Sequence, residues 1–402
     1  MLQRIGFAAA AFVATAVSVI SVADDARVVI RVEKGASKTV EPTKSPFSGK
    51  RSSVDIAILL DTSNSMDGLI GQAKNQLWTI VQQFAKARKN GQTPVLRVAL
   101  FEYGNTRLPA SEGYIRQVVP LIDDLDRLSE SLFGLTTSGG DEYCGQVIQE
   151  AVKRLDWSRE PGSYKAIFIA GNEEFTQGPV DFHVACRQAI DKGVVVNTIH
   201  CGGSQDGIQG GWREGAKLAE GESLNIDQDQ AVVNIDCPQD KIIIQLNAEL
   251  NRTYLWYGKA EDRGRYAANQ AAQDMNAQNT SASAASSRAV AKANSVYSNR
   301  NRDLVDTFSE DHEILAKIND DDLPATVKQL KPEERGAYVQ QLATQRAAIQ
   351  KRINELGAER EAYLAKEQSR LASNANSTFG AAAVNTIRNQ LTKSGYETSP
   401  NP

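Results

Sequence analysis

The run Val54-Asp55-Ile56-Ala57-Ile58-Leu59-Leu60 constrains this chain more than any other feature. A nearly continuous apolar stretch of that length suits a strand whose sheet is covered on both faces. Directly behind it, Leu69, Ile70, Ala73, Leu77, Ile80, Val81 and Phe84 recur at three- and four-residue spacing, which marks a helix with one apolar face. The alternation then repeats. Strands are expected over Val95–Phe101, Tyr164–Ala170 and Val194–His200, with an edge strand near Tyr114–Val119 and a last one within Ser223–Ile235. Helices are expected around Leu125–Leu132, Tyr143–Leu155, Val180–Lys192, Trp212–Glu220 and Lys241–Leu250. Strands alternating with helices in this way specify an α/β fold with a doubly wound, mostly parallel sheet, placed over residues 51–257.

The flanks read differently. Arg4, an apolar stretch from Phe7 to Ile20 and the small residues Ser21-Val22-Ala23 make residues 1–23 a signal peptide, too short for a bilayer span of about 20 apolar residues. Residues 24–50 form a short strand, Arg27–Val32, and a linker. No later segment is apolar enough to span a membrane, so the mature protein is expected outside the cytoplasm, in the periplasm or extracellular. In that setting one or two disulfides are expected among Cys144, Cys186, Cys201 and Cys237, with the pairing open. A net charge of −4 gives no support for nucleic-acid binding.

Beyond Gly258 the composition shifts. Residues 258–300, rich in Ala, Asn and Ser, read as a linker or exposed helix. Residues 301–402 read as helical. Pro332, followed by Glu333 and Glu334, starts a long helix reaching about Leu371. In it Leu342, Ile349, Leu356 and Tyr363 recur every seven residues beside Val339 and Ile353, while Arg346 and Arg360 interrupt the second row. Such a coiled-coil-like seam calls for a partner helix, in this chain or on another copy.

The candidate site follows the first strand. Asp61-Thr62-Ser63-Asn64-Ser65 sits at its carboxyl end, where ligands bind in doubly wound sheets. Asp61, Ser63 and Ser65 can project alike from an extended turn, and one carboxylate with two hydroxyls is a donor set for a hard cation such as Mg²⁺, with Mn²⁺ or Ca²⁺ as alternatives. The competing use of the same residues is a helix N-cap.

This Asp-x-Ser-x-Ser arrangement resembles that of von Willebrand factor type A domains, and the order of strands and helices over residues 51–257 resembles theirs. From Ile226-Asp227-Gln228-Asp229 through Asn251-Arg252-Thr253-Tyr254-Leu255-Trp256-Tyr257-Gly258 and into the tail, the chain is similar in appearance to exported bacterial proteins that join this domain to a helical extension. The resemblance implies a metal-ion-dependent adhesion site, completed by a Thr after a Gly-Gly turn and an Asp at the end of the fourth sheet strand. Here Asp141 follows Gly139-Gly140 in place of the Thr, with Thr137 as a substitute. Gly171 stands where the Asp would be, with Asn172 or Glu173 as substitutes. An added acid strengthens hold on a divalent ion and weakens the ion's pull on an external carboxylate.

His183, His200 and His312 are isolated, no nucleophile–base pair is apparent, and Gly202-Gly203 and Gly210-Gly211 suit tight turns. Trp212 reads as a packing anchor. The expectation is therefore a non-enzymatic, exported binding protein that engages a protein ligand, through a carboxylate, at its cation site. The alternative is a structural envelope protein whose α/β domain is a scaffold with a degenerate metal site and whose tail drives self-association.

Overall fold

The computed structural model describes residues 51–226, 235–371 and 379–398. The signal peptide, the strand expected over Arg27–Val32 and part of the last strand's range lie outside the described residues. Each expected sheet strand is present: β1 (Ser53–Asp61), β2 (Val95–Tyr103), β3 (Ile115–Ile122), β4 (Tyr164–Gly171), β5 (Val195–Cys201) and β6 (Ser223–Ile226). They form one six-stranded sheet in the order β3-β2-β1-β4-β5-β6. Central β1 runs parallel to both neighbours, Ile56 lying between Val98 and Ala166. Among the described strands only β3 is antiparallel, with register shifts where it meets Val98–Phe101. The order turns back between β1 and β4, which makes their carboxyl ends the switch point of the sheet.

Among the described residues, seven α-helices belong to this part: α1 (Asp67–Lys86), α2 (Leu125–Phe133), α3 (Cys144–Arg154), α4 (Phe182–Asp191), α5 (Ser204–Gln209), α6 (Trp212–Leu218) and α7 (Asp240–Asn251). Side chains alternate across the sheet. Ala57, Leu59, Phe101, Ile167 and Val196 face α3, α4 and Trp212, while Ile56, Leu60, Leu100 and Phe168 face α1, α2 and α7.

The tail adds α8 (Ala260–Thr280), α9 (Ala282–Lys292), α10 (Leu304–Glu310), α11 (Ile314–Lys317), α12 (Ala325–Lys328), α13 (Pro332–Leu371) and α14 (Phe379–Lys393). It continues the core of the sheet domain. Within 258–300, α8 is a largely exposed helix, in keeping with the sequence reading, whereas α9 departs from it because it is buried against α1. Ala284, Ala289 and Ala291 allow a close approach, and Arg288 and Lys292 are buried as ion pairs. Arg288 pairs with Asp274 of α8 and with Asp126 of α2 at 2.8 Å, over the Trp78 ring at 4.5 Å. Lys292 meets Asp274 at 3.1 Å and Asn251 at 2.5 Å. Two acids and two bases close a neutral set, as burial of charge requires.

The seam of α13 finds its partners inside the chain. Val339, Ile349, Ile353 and Leu356 are buried, the last three in the same core as α7 and α9. Arg346 and Arg360, the breaks in the second row, are buried pairs. Arg346 reaches Asp303 and Asp306 at 2.5 Å each and lies over Tyr254 at 4.2 Å; Arg360 reaches Asp240 at 2.6 Å. α14 packs on α1, and its Gln390 bonds to Tyr164 and Asn197 at the sheet.

The disulfide expectation is corrected. Cys144, Cys186, Cys201 and Cys237 are all buried free thiols. Cys144 and Cys186 pack on the α3–α4 face and Cys201 in the core of the opposite face, so the sheet separates Cys201 from the other two. No helix among the described residues is long and apolar enough to cross a membrane.

Candidate metal centre at the carboxyl end of the sheet

Asp61 is the last residue of β1 and is fully buried between β2 and β4. The chain then turns back: Ser63 N donates to Asp61 Oδ1 at 2.7 Å. This turn brings Ser63 Oγ and Ser65 Oγ within 3.1 Å of each other, and Ser65 Oγ donates to Asn172 Oδ1 at 3.3 Å. The three motif residues therefore converge as expected, and Asn172 joins them from the end of β4.

The remaining expected ligands do not converge. Asp141 is exposed, and its Oδ2 accepts from Tyr143 OH at 3.2 Å, on the far side of the loop. Thr137 donates to Asp67 Oδ1 at 2.5 Å, fastening its loop to the start of α1. Glu173 is exposed and its carboxylate is held by Gln177 at 3.3 Å. The residue that enters the centre is Glu142, 5% exposed. Two glycines decide this. At Gly104, with φ of 75°, a Cβ would stand 2.7 Å from Glu142 Cγ and 2.8 Å from Asp61 Oδ1. At Gly140 a Cβ would stand 2.5 Å from the Gly104 carbonyl oxygen. Only with both side chains missing can the loop lie close enough for Glu142 to reach Asp61. Gly171 has its own cause: Tyr103, whose hydroxyl donates to Ala170 O at 3.0 Å, fills the space an Asp there would need.

Two carboxyls thus meet in a buried place. Burial raises Asp61 to about 6 against the pull of hydrogen bonds from Glu142 and Ser63. Burial, then the charge of Asp61 and their shared hydrogen bond, push Glu142 up to about 9. The charge of Glu173 raises both slightly. Asp61 Oδ2 and Glu142 Oε2 are buried without a hydrogen-bond partner. Buried carboxylate oxygens are rarely left so, and each such atom calls for an explanation. A divalent cation supplies one: two carboxylates, two hydroxyls and an amide oxygen form an all-oxygen set suited to a hard ion. Among the described residues no group of three or more His, Cys, Asp or Glu side chains gathers as a metal site.

The β4 arm is held from behind. Trp212, buried as expected of an anchor, donates through Nε1 to Glu173 O at 2.7 Å. His200 Nε2 lies 3.2 Å from Asn172 O, and its Nδ1 lies 2.9 Å from Asn225 Oδ1.

With this geometry in view, residues 55–210 match the family model of the von Willebrand factor type A domain. Among solved structures, the conserved hypothetical protein BatB from Bacteroides thetaiotaomicron is 18% identical, with 43% of this chain and 90% of that one covered and a TM-score of 0.34. Proximal thread matrix protein 1 from the mussel byssus, with a zinc-occupied MIDAS motif, is 17% identical over 45% of this chain and 43% of that one, TM-score 0.34. The pilus adhesin SpaC from Lactobacillus rhamnosus GG, in an open conformation, is 14% identical over 44% of this chain and 28% of that one, TM-score 0.33. Among curated proteins none matches the sequence.

Proposed function

We propose that this chain is a non-enzymatic, exported binding protein that engages a protein ligand at the carboxyl end of its sheet, around a divalent cation held by Asp61, Ser63, Ser65 and Glu142. The observation that carries the reading is the pair of buried, unpartnered carboxylate oxygens beside the two serine hydroxyls. When bound, the cation supplies positive charge that lets both acids ionise in a buried place, and it tethers the β1, 136–142 and β4 loops to one point. Mg²⁺ fits the hard donor set, with Mn²⁺ and Ca²⁺ as the other candidates. Asp61 and Glu142 together balance two positive charges, so the ion's remaining pull on an outside carboxylate is small, and the ligand is held mainly by the surrounding surface.

Export rests on the composition of residues 1–23, and the periplasm is the proposed location. Assembly through the α13 seam is disfavoured, because Val339, Ile349, Ile353 and Leu356 are buried within the chain.

Calorimetric titration of Mg²⁺ or Mn²⁺ into the full chain tests the reading. One ion is expected to bind the native protein, and Asp61→Asn is expected to lower affinity by about a hundredfold, in line with loss of a buried charged partner. Equal titration curves for the two proteins would refute it.

A further inference from the structure

Beside the centre lies a groove of about 560 Å³, between the turn ahead of β3 and the loop that follows β4. Its lining includes Ser111, Gly113, Asp141, Tyr143, Gln146 and Gln177, with one carboxylate and no basic side chain. Three features give it a definite chemistry. Asp141, which the cation centre does not use, is exposed to it, and Tyr143 OH engages only its Oδ2, at 3.2 Å. Gln146 Oε1 is buried without a hydrogen-bond partner. The Tyr143 ring forms an aromatic wall, braced by Gly178 (φ 93°), where a Cβ would stand 2.6 Å from the ring, and edge-on by Tyr114 at 6.1 Å between centroids.

A carboxylate beside an aromatic face complements a planar cation with several N–H donors. That describes a guanidinium, which pairs with carboxylates through parallel hydrogen bonds and stacks on aromatic rings. The surroundings favour the same charge: Asp67, Glu173 and Glu174 are exposed at this end of the sheet, and the exposed Arg107 is occupied in donating to Thr136 Oγ1 at 3.0 Å.

We propose that this groove receives an arginine side chain of the protein ligand. The inference rests on the reading of this end of the sheet as the ligand-binding face, and it names what that face recognises: a basic segment. Gln177 links the groove to the centre, since its Oε1 accepts from Glu142 N at 3.4 Å and its Nε2 donates to Glu173 at 3.3 Å. An arginine seated against Asp141 therefore lies one side chain away from the cation ligands.

The test uses the full chain, excess Mg²⁺ and two probes, acetyl-Gly-Arg-Gly-amide and acetyl-Gly-Glu-Gly-amide, followed by saturation-transfer NMR. The arginine peptide is expected to bind, with the strongest transfer to its side-chain methylenes, and the glutamate peptide is not. Asp141→Asn, an isosteric change at an exposed side chain, is expected to weaken arginine binding about tenfold, the scale of a hydrogen bond to a charged group. Gln146→Leu provides a second variant that leaves the charge unchanged and is expected to weaken it less. Equal binding to Asp141→Asn, preference for the glutamate peptide, or no binding of the arginine peptide would overturn the proposal. Mg²⁺ titration of the same wild-type protein separates the two readings. Peptide binding without cation binding sinks the centre and spares the groove, and the reverse outcome does the opposite.

Discussion

With no cation between them, Asp61 and Glu142 compete for one proton, and this sets how stability depends on pH. Both carboxyls are raised in the folded chain, to about 6 and about 9, so both hold protons more tightly folded than unfolded. Their stabilising contribution is complete below the ordinary carboxylate range and is lost as pH rises through those values. The cation-free protein is therefore expected to melt at progressively lower temperature from the ordinary carboxylate range up to about pH 9, most steeply below about pH 6, with Mg²⁺ restoring most at the upper end. Glu142→Gln should flatten the upper part of that profile and remove most of the Mg²⁺ effect. Thermal unfolding with chelator and with excess Mg²⁺ checks both, and a flat profile in the native sequence would contradict the account. Asp61, Ser63 and Ser65 were legible in the sequence because their convergence is local, a two-residue repeat at a strand end. Glu142 was not. Asp141 and Glu142 are neighbours of like chemistry, and which of them turns inward depends on how Gly140 packs against Gly104, 36 residues away along the chain.

Among the elements, α9 shows how composition misleads. A stretch of Ala, Ser and Asn lacks the large apolar groups that advertise a core, yet it is buried because small side chains permit close packing and because Arg288 and Lys292 find acids. Burial alone would raise Asp274, but the charges of Lys292 and Arg288 outweigh it and hold its carboxyl well below the usual range. Arg288→Leu would leave Asp126 and Asp274 short of a counter-charge in a buried place. A loss of about 3–5 kcal/mol is expected, the scale for breaking a buried pair by removing one partner. Chemical denaturation measures it, and a loss under about 1 kcal/mol, as for a surface pair, would show that the cluster is solvated. The same chemistry explains α13: Arg346 and Arg360 look like interruptions of an apolar row when the acids they meet, Asp303 and Asp240, are far away in sequence.

For the molecule as a whole, the helical tail and the sheet share one core. Leu60, Trp78, Ala289, Ile353 and Ile387 belong to a single buried cluster spanning β1, α1, α9, α13 and α14. Calorimetric unfolding is expected to show one transition, with two separate ones counting against a shared core. The four cysteines belong to the same argument, since burial pushes the Cys186 thiol up to about 12 and raises the other three. Thiol titration without reductant should find four reactive groups only after denaturation. The fold class was legible from strand and helix periodicity, because each buried strand and amphipathic helix carries its own pattern. The union of the two halves was not, since it depends on ion pairs between residues more than 100 positions apart, such as Arg288 with Asp126 and Arg360 with Asp240.

Anomalous scattering from a crystal soaked in Mn²⁺ locates the ion without assuming any ligand. The account predicts one strong peak between the carboxyl groups of Asp61 and Glu142, with the hydroxyls of Ser63 and Ser65 turned toward it. A crystal in which manganese appears elsewhere, while those four side chains bond only to one another and to backbone amides, would contradict it.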